Sequence, residues 1–169
     1  MKVFDHSDIN KSLAAILFSA RKSDKAVSVI NESAATYGID YDSLLQDDFK
    51  IMALSASGIT QDLFYALKDQ SPFSIEEWAL LLHISKRTII RYKNDKKSFN
   101  SLSSDRIIEL TKVIKRGVEV FGDRVKFNAW IRSNCYALGN VKPMYLMKNA
   151  TGIQIILDQI GRIEHGILA

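Results

Sequence analysis

Between residues 103 and 122 the apolar side chains leave the backbone one choice. Ile107, Leu110, Val113, Ile114, Val118 and Phe121 recur every three or four positions, and the run stops at Gly122. Only a helix gathers such a set onto one face, with glycine closing its C-terminus. Nowhere does the chain show a sustained period-two alternation bounded by hairpin turns. The predicted fold class is all-α.

The other helices follow from the same spacing. One is predicted over Asp8 to Lys22, with Ile9, Leu13, Ile16 and Leu17 on a stripe. A second follows Ser23-Asp24, uses Val27, Ile30, Ala34 and Tyr37, and stops at Gly38. A third covers Ser43 to Ala56, and Thr60 caps a fourth that carries Leu63, Phe64 and Leu67. Ser71-Pro72 ends that one, because the residue before proline avoids the helical region. Beyond Gly122, one short helix carries Phe127, Trp130 and Ile131, and a last one carries Ile153, Ile156, Leu157, Ile160 and Ile163 up to Gly166. The organisation expected is an N-terminal helical extension over 1–57, a helix-turn-helix unit over 58–100 and a C-terminal helical domain over 101–169. The polar link from Ser98 to Ser103 makes the last break, and Ser103-Ser104-Asp105 is the cap expected for the long helix.

The chain has 169 residues, enough to bury about 70% of its unfolded surface without a metal or disulfide staple. One cysteine, Cys135, forms no internal disulfide or thiolate zinc site and reads as a small buried hydrophobe. No apolar run approaches the ~20 residues of a membrane span. Asp5 and Asp8 spoil the basic lead of a secretory signal, so a reduced, cytoplasmic setting is expected. Asp47-Asp48 and Glu76-Glu77 are adjacent pairs that diverge on a helix instead of converging on a substrate. No glycine-rich phosphate loop or recognisable nucleophile turn is present. No enzyme, metal or cofactor is expected.

Charge is unevenly placed. Residues 1–70 hold 7 basic and 10 acidic side chains, whereas all six basic residues of 71–100 fall between Lys86 and Lys97. That cluster sits on a recognisable pattern. Ser74 and Glu77 form a capping box, and Ile75, Trp78, Ala79 and Leu82 make one stripe. His83-Ile84 makes a turn, and Ser85 caps a second helix whose Ile89 and Tyr92 face inward. Lys86, Arg87, Ile90, Arg91 and Asn94 are left facing outward. His83 stands where glycine is usual, a position histidine tolerates better than most residues. This is the spacing of a helix-turn-helix with a basic recognition helix. Arginine forks onto guanine edges, lysine meets phosphates, and Ile90 can touch a thymine methyl.

Further residues look familiar. Arg106-Ile107-Ile108-Glu109-Leu110, Val118-Glu119-Val120-Phe121-Gly122-Asp123 and Trp130-Ile131 resemble the toxin-binding domain of Xre/MbcA/ParS antitoxins. Leu138-Gly139-Asn140-Val141-Lys142-Pro143 and Gly152 with Ile163-Glu164-His165-Gly166 continue the match. Ile84-Ser85-Lys86-Arg87-Thr88-Ile89-Ile90-Arg91 resembles the same family's helix-turn-helix. The resemblance covers residues 58–169, with two departures. Asn134-Cys135 stands where the family has Pro-Asn, and Asn140 replaces a second glycine, which asparagine can do in left-handed geometry.

The resemblance implies a type II antitoxin that covers the active site of a RES-domain, NAD-acting toxin and represses its operon through operator DNA. Carried over, Arg87, Thr88 and Arg91 serve DNA contact, with Lys86 and Lys93 added from their facing and the cap Ser85 and outward Ile90 counted in the same surface. Leu138, Gly139 and Pro143 and the tail Gly166, Ile167, Leu168 and Ala169 serve toxin contact. NAD would belong to the toxin. A homodimer within a larger complex is expected, since a helix-turn-helix reads two-fold operators as a pair. The alternative is a plain helix-turn-helix repressor whose C-terminal half only dimerises.

Overall fold

The computed structural model describes residues 48–167, and within them the fold is helical apart from one isolated antiparallel bridge between Cys135 and Val141. The helices predicted over Asp8–Lys22 and up to Gly38, the start of the third at Ser43, and Leu168 and Ala169 lie outside the described residues. The order is α1 (Asp48–Ser57), α2 (Gln61–Gln70), α3 (Ile75–Leu81), α4 (Lys86–Asn94), α5 (Ser101–Phe121) and α6 (Arg124–Arg132). A 3-10 turn (Tyr136–Leu138), α7 (Pro143–Leu146) and α8 (Ala150–Glu164) follow.

The caps fall where side chains can satisfy the free amides of a first turn. Thr60 accepts from the Leu63 amide, Asp123 from Lys126 and Asn149 from Gly152. The long helix α5 is the hub: α1, α6 and α8 all pack along it. Its predicted stripe holds, with Ile107, Leu110, Val113 and Ile114 buried and Gly122 in the left-handed conformation at its end (φ 83°). Its start differs from expectation. Asn100, three residues before Ser103, is the cap, and it accepts from the Ser103 amide at 2.8 Å. Ser104 is instead buried, accepting from the Ile59 amide at 2.9 Å and donating to Phe99 O.

The link before α5 is therefore part of the interior. The Phe99 amide donates to Ile59 O at 2.8 Å, and its ring packs against Phe64 and Tyr92. Trp78, fully buried, meets Phe64 edge-on and donates its indole N–H to Ser71 Oγ at 2.8 Å. A Trp side chain buries about 150–250 Å², so satisfying its one polar atom leaves the apolar gain undiminished. One continuous apolar core runs from Leu54 through Trp78 and Ile107 to Ile160. Gly152 makes the closest join: a Cβ there would lie 1.8 Å from Leu146 O.

Candidate functional site

The α3–α4 pair is built from both ends. Ser74 accepts from the Glu77 amide at 3.2 Å, and the Glu77 carboxylate accepts from the Ser74 amide at 2.8 Å. The capping box is complete. At the far end, the His83 amide donates to Leu80 O and the Ile84 amide to Ala79 O, with His83 at φ 55°. This pair of bonds is a Schellman closure, whose left-handed residue is usually glycine. Histidine fills that position here, as its sequence position suggested. Its ring is fixed as well. Nε2 lies 2.7 Å from Lys148 O, and since a carbonyl only accepts, Nε2 carries the proton.

Ser85 then caps α4, accepting from the Thr88 amide at 3.0 Å, with the two hydroxyls 2.8 Å apart. Ile89 is buried and Tyr92 half-buried, so α4 is anchored by the stripe expected of it. Arg87, Ile90, Arg91 and Asn94 stand on the opposite face at positions i, i+3, i+4 and i+7, all exposed; Ile90 is 41% exposed. The remaining cations are braced from the side. Lys86 pairs with Glu76, whose carboxyl this hydrogen bond holds below the ordinary glutamate range. The Lys93 ammonium sits 4.3 Å from the centre of the Tyr65 ring. The exposed stripe is thus two guanidiniums, an amide and a methyl-bearing side chain, flanked by positioned lysines. Such a set can reach the donors, acceptors and methyls of a major groove and its phosphates. Ser85 and Thr88 bond to one another and serve the helix start.

A second surface forms after α6. Cys135, half-buried, donates from its amide to Val141 O at 3.0 Å, and the Asn140 amide donates back to Cys135 O at 2.9 Å. Gly139 (φ 75°) and Asn140 (φ 61°) carry the left-handed bend, so asparagine does replace the second glycine. Of the turn residues predicted for contact, Gly139 is exposed, Leu138 half-buried and Pro143 buried at the start of α7. Pro143 thus shapes the turn from inside. The large exposed apolar groups are ones that sequence reasoning missed: Tyr136 at 86%, Tyr145 at 57% and Val141. A lone tyrosine between small residues gives no periodic signal; only the fold shows that it faces solvent. In the tail, Gly166 (φ 67°) closes α8, with the Ile167 amide donating to Arg162 O at 2.9 Å. Ile167 is exposed.

Side chains far apart in sequence fasten the two surfaces together. Arg132, the last residue of α6, donates to both carboxylate oxygens of Glu77 and to Pro72 O. The fork lowers the Glu77 pKa and raises that of Arg132. Arg106 of α5 donates to Leu81 O at the end of α3 and to Met147 O after α7. Among the described residues no three His, Cys, Asp or Glu side chains group to hold a metal, and no helix is long and apolar enough to cross a membrane.

Residues 116–166, which hold α6, the turn and α8, match the model of the antitoxin Xre/MbcA/ParS C-terminal toxin-binding domain. The chain resembles the Xre/MbcA/ParS antitoxins. A protein of Yersinia enterocolitica named antitoxin Xre is 31% identical over 87 residues, which are 51% of this chain and 59% of that protein. The chain thus spans less than two thirds of that relative's length. Another antitoxin Xre, from Photorhabdus laumondii, is 27% identical over 118 residues, covering 69% of this chain and 80% of that one. Among solved structures, the M. tuberculosis MbcT–MbcA toxin–antitoxin complex contains a chain that superposes with a TM-score of 0.53. The identity is 23%, over 64% of this chain and 96% of that chain, a likeness of fold.

Proposed function

We propose that this protein is an antitoxin that neutralises a cognate RES-domain, NAD-acting toxin and represses its own operon by binding operator DNA. The observation that carries the first half is the match of residues 116–166 to a toxin-binding domain, in which the turn exposes Tyr136 and α7 exposes Tyr145. On this reading the toxin meets Leu138, Gly139 and that aromatic pair, together with the tail from Gly166 to Ala169, and Pro143 holds the turn in shape. The bound antitoxin covers the toxin's active site, and NAD belongs to the toxin.

The second half rests on the α4 face. Arg87, Ile90 and Arg91 read base edges, with Lys86 and Lys93 on phosphates and Ser85 and Thr88 fixing the helix start. The working unit is a homodimer in the cytoplasm, inside a larger toxin–antitoxin complex, because paired recognition helices match two-fold operators. Growth assays test the neutralising role. Co-expression with the protein encoded beside it rescues growth if the proposal is right, and the double variant Tyr136→Ala/Tyr145→Ala weakens the rescue. Equal growth arrest with and without this chain rejects it.

A further inference from the structure

An open groove of about 810 Å³ runs along the first half of α5, between α1, the α3–α4 turn and the start of α8. It is lined by apolar Ile51, Ile84, Leu102 and Ile108, and Leu102 is 80% exposed. Its acids are engaged: Glu109 pairs with Arg106, and Asp105 accepts from Ser55. Lys112 and Lys148 also line it, and Lys112 is exposed and forms no ion pair among the described residues. The groove is therefore apolar with an unbalanced positive charge.

The direction of α1 says which part of the chain meets it. Ser55, near the end of α1, contacts Ser101 and Asp105 at the start of α5, while Ile51 lies beside Ile108 and Thr111. The two helices run antiparallel, so the chain enters α1 at the Lys112 end of the groove. Along α5 the groove extends from Asn100 to Lys112, about 18 Å at 1.5 Å per residue.

Forty-seven residues precede α1. Residues 26–47 hold Glu32, Asp40, Asp42 and Asp47 and not one lysine or arginine, whereas residues 48–167 hold 18 basic and 12 acidic side chains. The spacing of Val27, Ile30, Ala34 and Tyr37 predicts an amphipathic helix ending at Gly38. From Lys25 to Tyr37 it would measure about 18 Å, the length of the groove, with Lys25 at its start and Glu32, its one acid, in its second half. We propose that this segment of the same chain turns back at Gly38 and lies in the groove, its apolar stripe on Leu102 and Ile108. Glu32 then comes beside Lys112 or Lys148. A tethered occupant outcompetes a second copy because its effective concentration reaches the millimolar range. Ile84 lines the groove one residue from the His83 turn, so the docked segment braces the recognition helix from behind.

Zero-length carbodiimide cross-linking of the full chain, prepared as a mixture of light and 15N-labelled protein, tests this. The expected result is an intrachain amide between Glu32 and Lys112 or Lys148. It should fall more than tenfold in Ile30→Asp, while the Glu109–Lys112 link, one helical turn apart, persists as the control of lysine reactivity. Links from Glu32 found only between light and heavy chains assign the groove to a second copy and overturn the proposal. So does the absence of any Glu32 link to either lysine when Glu109–Lys112 forms.

Discussion

Arg132 and Glu77 lie 55 residues apart in sequence and meet as a two-bonded fork, the second bond 3.0 Å long. Glu77 also completes the capping box of α3, and Arg132 immediately precedes the turn at 133–142. One carboxylate thus serves the start of the α3–α4 pair and the base of the C-terminal turn. Arg132→Ala strips that half-buried carboxylate of its guanidinium, leaving it the Ser74 amide, and removes the Arg132 donor from Pro72 O. The expected cost is about 1–3 kcal/mol in urea denaturation, the penalty for stranding one member of a charged hydrogen bond.

The same pair predicts a pH dependence. The fork depresses the Glu77 pKa, so its stabilisation is complete above the ordinary glutamate value of about 4.3 and is lost as pH falls through the lower folded value. The stability gap between wild type and Glu77→Gln should be widest near neutral pH and close in acid. A gap that is flat from pH 7 to pH 3 would show that the charge contributes nothing.

His83 offers a test of backbone geometry. Its φ of 55° suits glycine, and a β-branched side chain there is strained by about 1–2 kcal/mol. His83→Gly relieves the backbone but gives up the bond to Lys148 O, leaving stability within about 1 kcal/mol of wild type. His83→Val loses the bond and adds strain, so its thermal midpoint should fall clearly below that of His83→Gly.

Arg87→Ala and Arg91→Ala should each weaken operator binding by about 1–3 kcal/mol and relax sequence preference. Neither side chain is buried, so the melting temperature should stay put. Lys86→Ala should weaken binding uniformly across sequences and flatten its salt dependence. Gel retardation at two salt concentrations separates these behaviours, and equal retardation by an Arg87→Ala/Arg91→Ala double variant would refute the DNA role.

Helix existence, caps and core faces were legible in the sequence because they depend on neighbours within a turn or two. Thr60, the Ser74–Glu77 box, Ser85 and Gly122 all do what their local pattern indicates. What stayed hidden depends on distant partners. Asn100 starts α5 because Ser104 is drawn inside to serve Ile59 and Phe99, a contact spanning 45 residues. Arg132 and Arg106 look like ordinary surface cations until the fold brings carbonyls and a carboxylate to them. On the C-terminal surface, the family resemblance implies contact by Pro143, which lies inside, whereas Tyr136 gave no signal and is almost fully exposed.

Removing residues 166–169 should separate the two roles. Gly166 and Ile167 lie beyond the last turn of α8 and bury no core residue, so the truncated chain should fold and retard DNA normally. It should fail to rescue growth if the tail enters the toxin. Full neutralisation by the truncated chain rejects the tail as a contact.

The most direct test of the antitoxin reading is to tag this protein, co-express it with its neighbouring gene product and weigh the purified species by native mass spectrometry. The account predicts a stable complex with a RES-domain protein. Recovery of this chain alone, still able to retard its own promoter, would contradict it and leave a simple repressor.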